Sequence, residues 1–189
     1  MERDGFRFRS GRLCLDFAAT LARRYRDGVE QLVVPEDLQR WLRVAGLPGA
    51  GLRVDAAELA CARALREAVY RLLHPAMRDT PEVADMDVVN RWAAFPDPAP
   101  RLAVDARTKI TLADRPLEAG LSAVARDAVD LLCGDMLGRV RECARTHCSV
   151  LFLDSSRPGQ RRWCDMAVCG NQAKARRHRQ LHTVVAPRA

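Results

Sequence analysis

"CARTHCSVLFLDSSRPGQRRWCDMAVC", residues 143–169, holds two pairs of cysteines and decides how the last quarter of this 189-residue chain folds. Cys143 and Cys148 have four residues between them; fifteen residues follow, and Cys164 and Cys169 repeat the spacing. Two close pairs joined by one loop suit tetrahedral metal coordination. Each pair presents two thiolates from one side, and the intervening chain folds back to deliver the second pair. Zinc is the metal that an all-thiolate tetrahedral site favours. An iron–sulfur cluster is the alternative occupant, and disulfides are the weaker alternative in a reducing compartment. His147, inside the first pair, is either a substitute ligand or an exposed loop residue. Four thiolates leave no position open to water, so the expected metal is one structural Zn2+ without a catalytic role.

The residues between the pairs predict local structure. "SVLF" alternates as a strand, Ser155-Ser156-Arg157-Pro158-Gly159 reads as a turn, and a short return strand is expected to end at Cys164. A helix is then expected from about Val168 or Gly170 through His182. A knuckle, a hairpin and a helix whose first turn carries the last ligand make a treble-clef-like arrangement. Metal coordination stabilises modules of this size by roughly 10–16 kcal/mol, and residues 139–189 are not expected to fold without it.

Charge is unevenly placed. Residues 1–138 hold 20 Lys/Arg against 21 Asp/Glu, whereas residues 139–189 hold 11 against 3, a net of +8 within the chain's +7. A zinc tetrathiolate carries about −2, which leaves roughly +6 for an anionic partner. Lys174, Arg176, Arg177 and Arg179 recur along the final helix, and Arg157, Arg161 and Arg162 come from the predicted hairpin. These seven are the candidate nucleic-acid contacts, since a phosphate backbone is the partner that such a surface fits. The plain alternatives are a solvated basic face and, for Arg161 and Arg162, hydrogen bonding to thiolates or stacking on Trp163.

Residues 1–138 read as a helical domain with one small hairpin. A helix is expected from about Leu13. A second starts at Pro35 and stops at Gly46 or at Pro48-Gly49. Asp55 with Glu58 three residues on looks like a capping box for a third, and Thr80-Pro81 marks the start of a fourth. "PRLAVDARTKITLAD" alternates, so a β-hairpin is expected around Asp105–Thr108. The longest helix is expected from about Leu117 towards Val140. The fold class is therefore mainly α. Cys14, Cys61 and Cys133 read as buried small hydrophobes, and His74 as a surface histidine at a helix end. Asp16, an acid inside "LCLDF", is either a local cap or a ligand contact, and a pocket between the packed helices is expected near it. A glycine-rich phosphate loop, a nucleophile elbow and a helical pair of zinc-ligating histidines are all missing from the sequence, so enzyme activity is not expected.

No apolar run approaches the roughly 20 residues that a membrane span needs. The N-terminus has acids among its bases and no long apolar core, unlike a secretory signal. A soluble cytoplasmic protein is expected.

"CSVLFLDSSRPGQRRWCDMAVCGNQAKARRHR" resembles the CGNR zinc finger, a bacterial family named for a four-residue motif, and "GRLCLDFAAT" with "PEDLQRWLRVAGL" resembles the ABATE domain that precedes this finger. The resemblance covers essentially the whole chain. It implies that Cys143, Cys148, Cys164 and Cys169 are the metal ligands, that Cys169, Gly170 and Asn171 belong to the name motif, and that the protein is a stress-induced transcription regulator whose finger binds DNA. Gln172 stands where the motif has arginine, and Ala19 where "LDFxNT" has asparagine. The leading expectation is a zinc-containing regulator that binds duplex DNA, with a helical domain that senses a small-molecule effector or mediates association. An RNA-binding module and a protein-interaction module are the alternatives. Only Phe152 and Trp163 interleave the bases, which argues against recognition by single-strand stacking.

Overall fold

Six helices and four two-stranded antiparallel pairs make up the described residues, 2–48, 53–77 and 79–183 of the computed structural model. The helices are α1 (Leu13–Ala18), α2 (Pro35–Ala45), α3 (Ala56–Leu73), α4 (Val83–Ala93), α5 (Pro116–Cys133) and α6 (Asn171–Thr183). The strand pairs are β1 (Glu2–Arg3) with β2 (Phe6–Arg7), β3 (Leu21–Ala22) with β4 (Val29–Glu30), β5 (Ala99–Leu102) with β6 (Lys109–Leu112), and β7 (Val140–Glu142) with β8 (Leu151–Leu153). The expected mainly α class is observed, with four short ladders where two hairpins were expected, one in the helical part and one in the finger.

The shortest helix lies at the centre. Six residues cannot hold a helix in water on their own, so α1 is helical because of what surrounds it. Cys14, Leu15, Phe17 and Ala18 are buried, and the helix packs against α3, α5 and β8. Asp127 of α5 supplies its missing cap: the carboxylate accepts the Cys14 amide at 2.8 Å and the Arg12 Nε at 2.8 Å. Phe17 meets Trp41 of α2 with ring centroids 4.7 Å apart, and Leu59, Ala62, Leu65, Val69 and Leu73 of α3 close the core from behind. Gly120 lets α5 approach the end of α2: a Cβ there would lie 2.3 Å from the Pro48 carbonyl oxygen.

Local signals set several helix ends. The Asp55 carboxylate accepts the Glu58 amide and the Glu58 carboxylate accepts the Asp55 amide, each at 2.8 Å, which completes the expected capping box. Gly46 takes the left-handed conformation (φ 72°) that ends α2. Two boundaries differ from expectation. The fourth helix begins at Val83 with Glu82 as its cap residue, and Thr80 makes no cap. What fixes this helix is Arg71 of α3, whose guanidinium bonds both oxygens of Asp85 at 2.7 and 2.6 Å. The fifth helix stops at Cys133, because Gly134 is extended (φ −97°, ψ 165°), and residues 140–142 form a strand instead of a helix tail.

The hairpin expected around Asp105–Thr108 is β5–β6, with Leu102 opposite Lys109. Its turn hangs on Asp105, whose carboxylate accepts the Arg107 and Thr108 amides at 2.9 and 2.8 Å and the Thr108 hydroxyl at 2.5 Å. The Thr108 hydroxyl and then the two amides hold that carboxyl down from the ordinary 3.8 to about 2. A depressed carboxyl adds stability above its unfolded pKa and loses it as pH falls through the folded one. Amide exchange at Arg107 and Thr108 should therefore be slow above pH 3.8 relative to an Asp105→Ala variant, and the difference should vanish as pH falls towards 2.

β7 and β8 link the two ends of the chain. Side chains alternate along a strand, so Leu151 and Leu153 enter the same apolar cluster as α1, α3 and α5, while Phe152 faces the cysteines. Val140 also joins the large cluster, and the Leu153 amide donates to the Ser10 carbonyl at 2.7 Å. Packing is continuous across residue 138. His74 lies at this junction and is buried, not on the surface as expected: its Nε2 is 3.1 Å from the Tyr25 hydroxyl and 3.2 Å from Glu142, and its Nδ1 accepts the Ala76 amide. Of the three scattered cysteines, Cys14 is buried as expected, whereas Cys61 and Cys133 are exposed.

Candidate metal centre and basic surface

Four buried thiols converge where the knuckle meets the start of α6. The Sγ atoms of Cys143, Cys148, Cys164 and Cys169 all lie within 4.8 Å of one another. Cys148 is 3.8 Å from Cys164 and 3.7 Å from Cys169, and Cys164 is 3.5 Å from Cys169. A regular tetrahedron with Zn–S of about 2.3 Å has sulfurs roughly 3.8 Å apart, whereas a disulfide brings them to about 2.05 Å. The spacing fits a single structural zinc held by four thiolates. Binding a metal requires the thiols in their ionised form, so the site takes up zinc with release of protons. His147 is exposed with φ 68° and lies outside the cluster.

The supporting shell is built from short-range contacts. The Cys143 amide donates to the Val150 carbonyl at 2.9 Å and the Cys148 amide to the Arg145 carbonyl at 3.0 Å, which closes the first knuckle on the β7–β8 ladder. The hairpin of this module is thus β7–β8, with the knuckle as its turn. The expected ladder between residues 150–153 and a return strand ending at Cys164 does not form. Asp154 instead gathers the Ser-Ser-Arg-Pro-Gly loop: its carboxylate accepts the Ser156 amide and hydroxyl and, at 2.8 Å, the Arg161 amide. Cys169 sits in a π-type turn, Met166–Gly170, that runs directly into α6. The Asp165 carboxylate caps this turn at the Val168 amide and pairs with Arg9 from the other end of the chain.

The candidate nucleic-acid residues divide by position. Lys174, Arg176 and Arg179 are exposed on α6, and Arg157 is exposed on the loop. The side chain of Arg177 lies outside the described residues. Arg161 is committed to the finger itself: it donates to the Trp163 and Cys164 carbonyls and lies 4.7 Å from the Phe152 ring centroid. Arg162 is exposed and stacks on Trp163 at 5.2 Å. Arg176 and Arg179 form one wall of a groove of about 510 Å³ whose other wall is the knuckle, Ala144 to His147. Arg145 lies in that groove, unremarked in the sequence because it sits inside the first cysteine pair. Its guanidinium donates to the side-chain carbonyl of Gln172, the residue that replaces the motif arginine. An arginine at 172 would set two guanidiniums against each other here.

Asp16 takes the local role. Its carboxylate accepts the Arg9 and Ser10 amides at 2.9 and 2.8 Å, fixing the turn before α1, and burial raises its pKa despite those bonds. The helices from Leu13, Leu38, Leu59 and Leu121 meet in one apolar core. A cleft lined in part by Arg9 and Ser10, whose amides Asp16 accepts, lies between β3–β4 and the metal centre. It measures about 290 Å³, and its lining includes Ala19, Arg9, Arg23, Val29, Cys148 and Cys164. An asparagine at position 19 would place an amide in it.

Comparison with known families accounts for both parts. Residues 11–135 match the ABATE family, whose description is "Putative stress-induced transcription regulator", and residues 139–182 match the CGNR zinc finger. The chain belongs to the ABATE family and ends in a CGNR zinc finger. No curated protein matches it. Among the described residues no helix is long and apolar enough to cross a membrane.

Proposed function

We propose that this chain is a cytoplasmic transcription regulator that grips duplex DNA with α6 and the knuckle beside it. The observation that carries the reading is the groove between them. It is lined by Arg145, Arg176 and Arg179 with His147 and two glutamines, and no carboxylate enters its lining among the described residues. A rigid basic helix suits the major groove of B-DNA, which admits an α-helix, while the deep, narrow major groove of A-form RNA does not. Lys174, Arg176, Arg177 and Arg179 serve as the phosphate contacts, with Arg157 and Arg162 at the edge and Arg161 bracing the loop. Reduced zinc-bound thiolates accord with a reducing cytoplasm. A metal closed by four sulfurs supports a binding protein over an enzyme. The helical part mediates association or effector response, and an effector would enter the cleft beside Ala19, since the Asp16 carboxylate is already spent on backbone amides.

The test is binding of the zinc-loaded protein to duplex DNA, single strands and structured RNA across a salt series. Replacing Lys174, Arg176, Arg177 and Arg179 by alanine should lower duplex affinity for all sequences alike. The slope of log affinity against log salt should flatten by about 0.9 for each lost phosphate contact. Zinc content and thermal unfolding should stay put, because exposed charges add little to stability. Unchanged affinity and slope would leave α6 a solvated face and make a protein-interaction module the better reading.

A further inference from the structure

We infer that the phosphate-binding surface does not end at the zinc finger, and that Arg23 and Arg26 of the β3–β4 turn extend it onto the helical part of the chain. This rests on the DNA-binding reading above. Residues 1–138 are nearly neutral as a whole, but "ARRYRDG", residues 22–28, is a local concentration of arginine. The structure docks this turn against the first knuckle. The Arg23 amide donates to the Cys148 carbonyl at 3.2 Å, and the Arg24 amide to the Ser149 hydroxyl at 3.0 Å. Arg23 takes a left-handed backbone (φ 56°), and the turn closes by hydrogen bonds from the Arg26 and Gly28 amides to its carbonyl.

The three arginines then part company. Arg24 turns inward, over the Tyr70 ring at 3.9 Å and onto Glu67. Arg23 and Arg26 face outward with Arg145, Thr146 and His147 around a cleft of about 260 Å³. Arg145, Thr146 and His147 also form the knuckle wall of the α6 groove. The two concavities thus share the knuckle as a wall, and neither has a carboxylate in its lining among the described residues. Arg26 is exposed and makes no ion pair with a described side chain. Arg23 pairs with Asp27 at 2.6 Å, but both side chains are exposed, and such a pair is weak enough for a phosphate to displace it. Arg145 is the junction: its guanidinium donates to the Gln172 side-chain carbonyl and lines both concavities.

A helix in the major groove is flanked by two phosphate backbones, and contacts to those backbones fix its register. α6 supplies its own arginines along its length. The β3–β4 turn, set beyond the knuckle, reaches the backbone on that side. The same contact would tie the orientation of the helical part to DNA occupancy, because the turn is hydrogen-bonded to the metal module through Cys148 and Ser149.

The experiment uses the full zinc-loaded chain and a short duplex in a salt series, comparing wild type, Arg26→Ala, Arg23→Ala with Arg26→Ala, and Arg26→Lys. The single alanine variant should flatten the log–log slope by about 0.9 and the double by about 1.8. Arg26→Lys should restore it, because lysine keeps the charge. Zinc content and melting temperature report folding and should match wild type. If the α6 alanine variant weakens binding while Arg26→Ala and the double variant keep the wild-type slope, the extension is wrong and the DNA-binding reading stands. If wild type itself binds no duplex, both fall. Weakened binding to structured RNA with duplex binding unchanged would overturn the proposal in favour of an RNA surface.

Discussion

Cys164→Ser is expected to reduce zinc from about one per chain to near zero and to unfold the metal module. The apolar support there is thin: among the described residues, the second cluster holds Phe152 besides the four cysteines, with Val150, Trp163 and Val168 partly buried against it. Burial of a Phe side chain stabilises by roughly 1.5–3 kcal/mol, while a structural zinc supplies roughly 10–16 kcal/mol in modules of this kind. Apolar contacts therefore cannot substitute for the metal. Most of the described side chains of α6 are exposed, and the contacts it makes through Gln172 and Arg176 go to the knuckle that the metal itself holds. Elemental analysis should register the loss, and far-UV circular dichroism should report the missing helix. The chain should not unravel altogether. Val140, Leu151 and Leu153 sit in the large cluster with α1, α3 and α5, so a cooperative transition should persist at a lower temperature. Chelation of the wild type should reproduce the same spectrum. A variant that retained a full zinc equivalent, or kept α6 without one, would refute the assignment.

Much of the metal site was readable because its information is local. The cysteine spacing, the helix that follows Cys169 and the Asp55–Glu58 capping box each lie within a short window, so residue type and separation suffice. What the sequence hid depends on distant partners. His74 looked exposed because its neighbours in sequence are a helix end and a proline, yet its partners Tyr25 and Glu142 lie 49 and 68 positions away. The cap of α1 is supplied by Asp127, 113 positions on. The strand at 140–142 was masked by the apolar spacing of "LLCGDMLGRV", which reads as helix until Gly134 is given its extended conformation. Arg23 and Arg26 were averaged away in a nearly neutral domain, and only the docking of β3–β4 on the knuckle sets them beside Arg145.

The second large effect is expected in the helical core, at Arg66→Met. The Arg66 side chain is only 3% exposed, which is costly for a charge unless its donors are met. They are met by two carboxylates. Nη1 and Nη2 donate to the two oxygens of Glu30 at 2.6 and 2.8 Å, and Nε donates to Glu67 at 2.8 Å. The arginine thereby fastens β4 to α3. Burial pushes the Glu67 carboxyl up, but the hydrogen bond from Arg24 and the charges of Arg24 and Arg66 hold it below its ordinary value. Methionine fills similar space and removes the three Arg66 donors, while Glu67 keeps its bond from Arg24 and Glu30 keeps the Leu32 amide at 2.9 Å and Arg63 at 3.8 Å. Truncating one side of a buried pair costs about 3–5 kcal/mol. Glu30 and Glu67 keep side-chain exposures of 28% and 29%, so water screens part of the stranded charge and the lower end, about 3 kcal/mol, is expected. For a chain of this length that lowers the melting temperature by roughly 6–12 °C. Adding Glu30→Gln should recover part of the loss, because one stranded charge is then gone. A loss below about 1 kcal/mol for Arg66→Met would mean that the pair behaves as an exposed one, and that β4 is held by its ladder with β3 and not by Arg66.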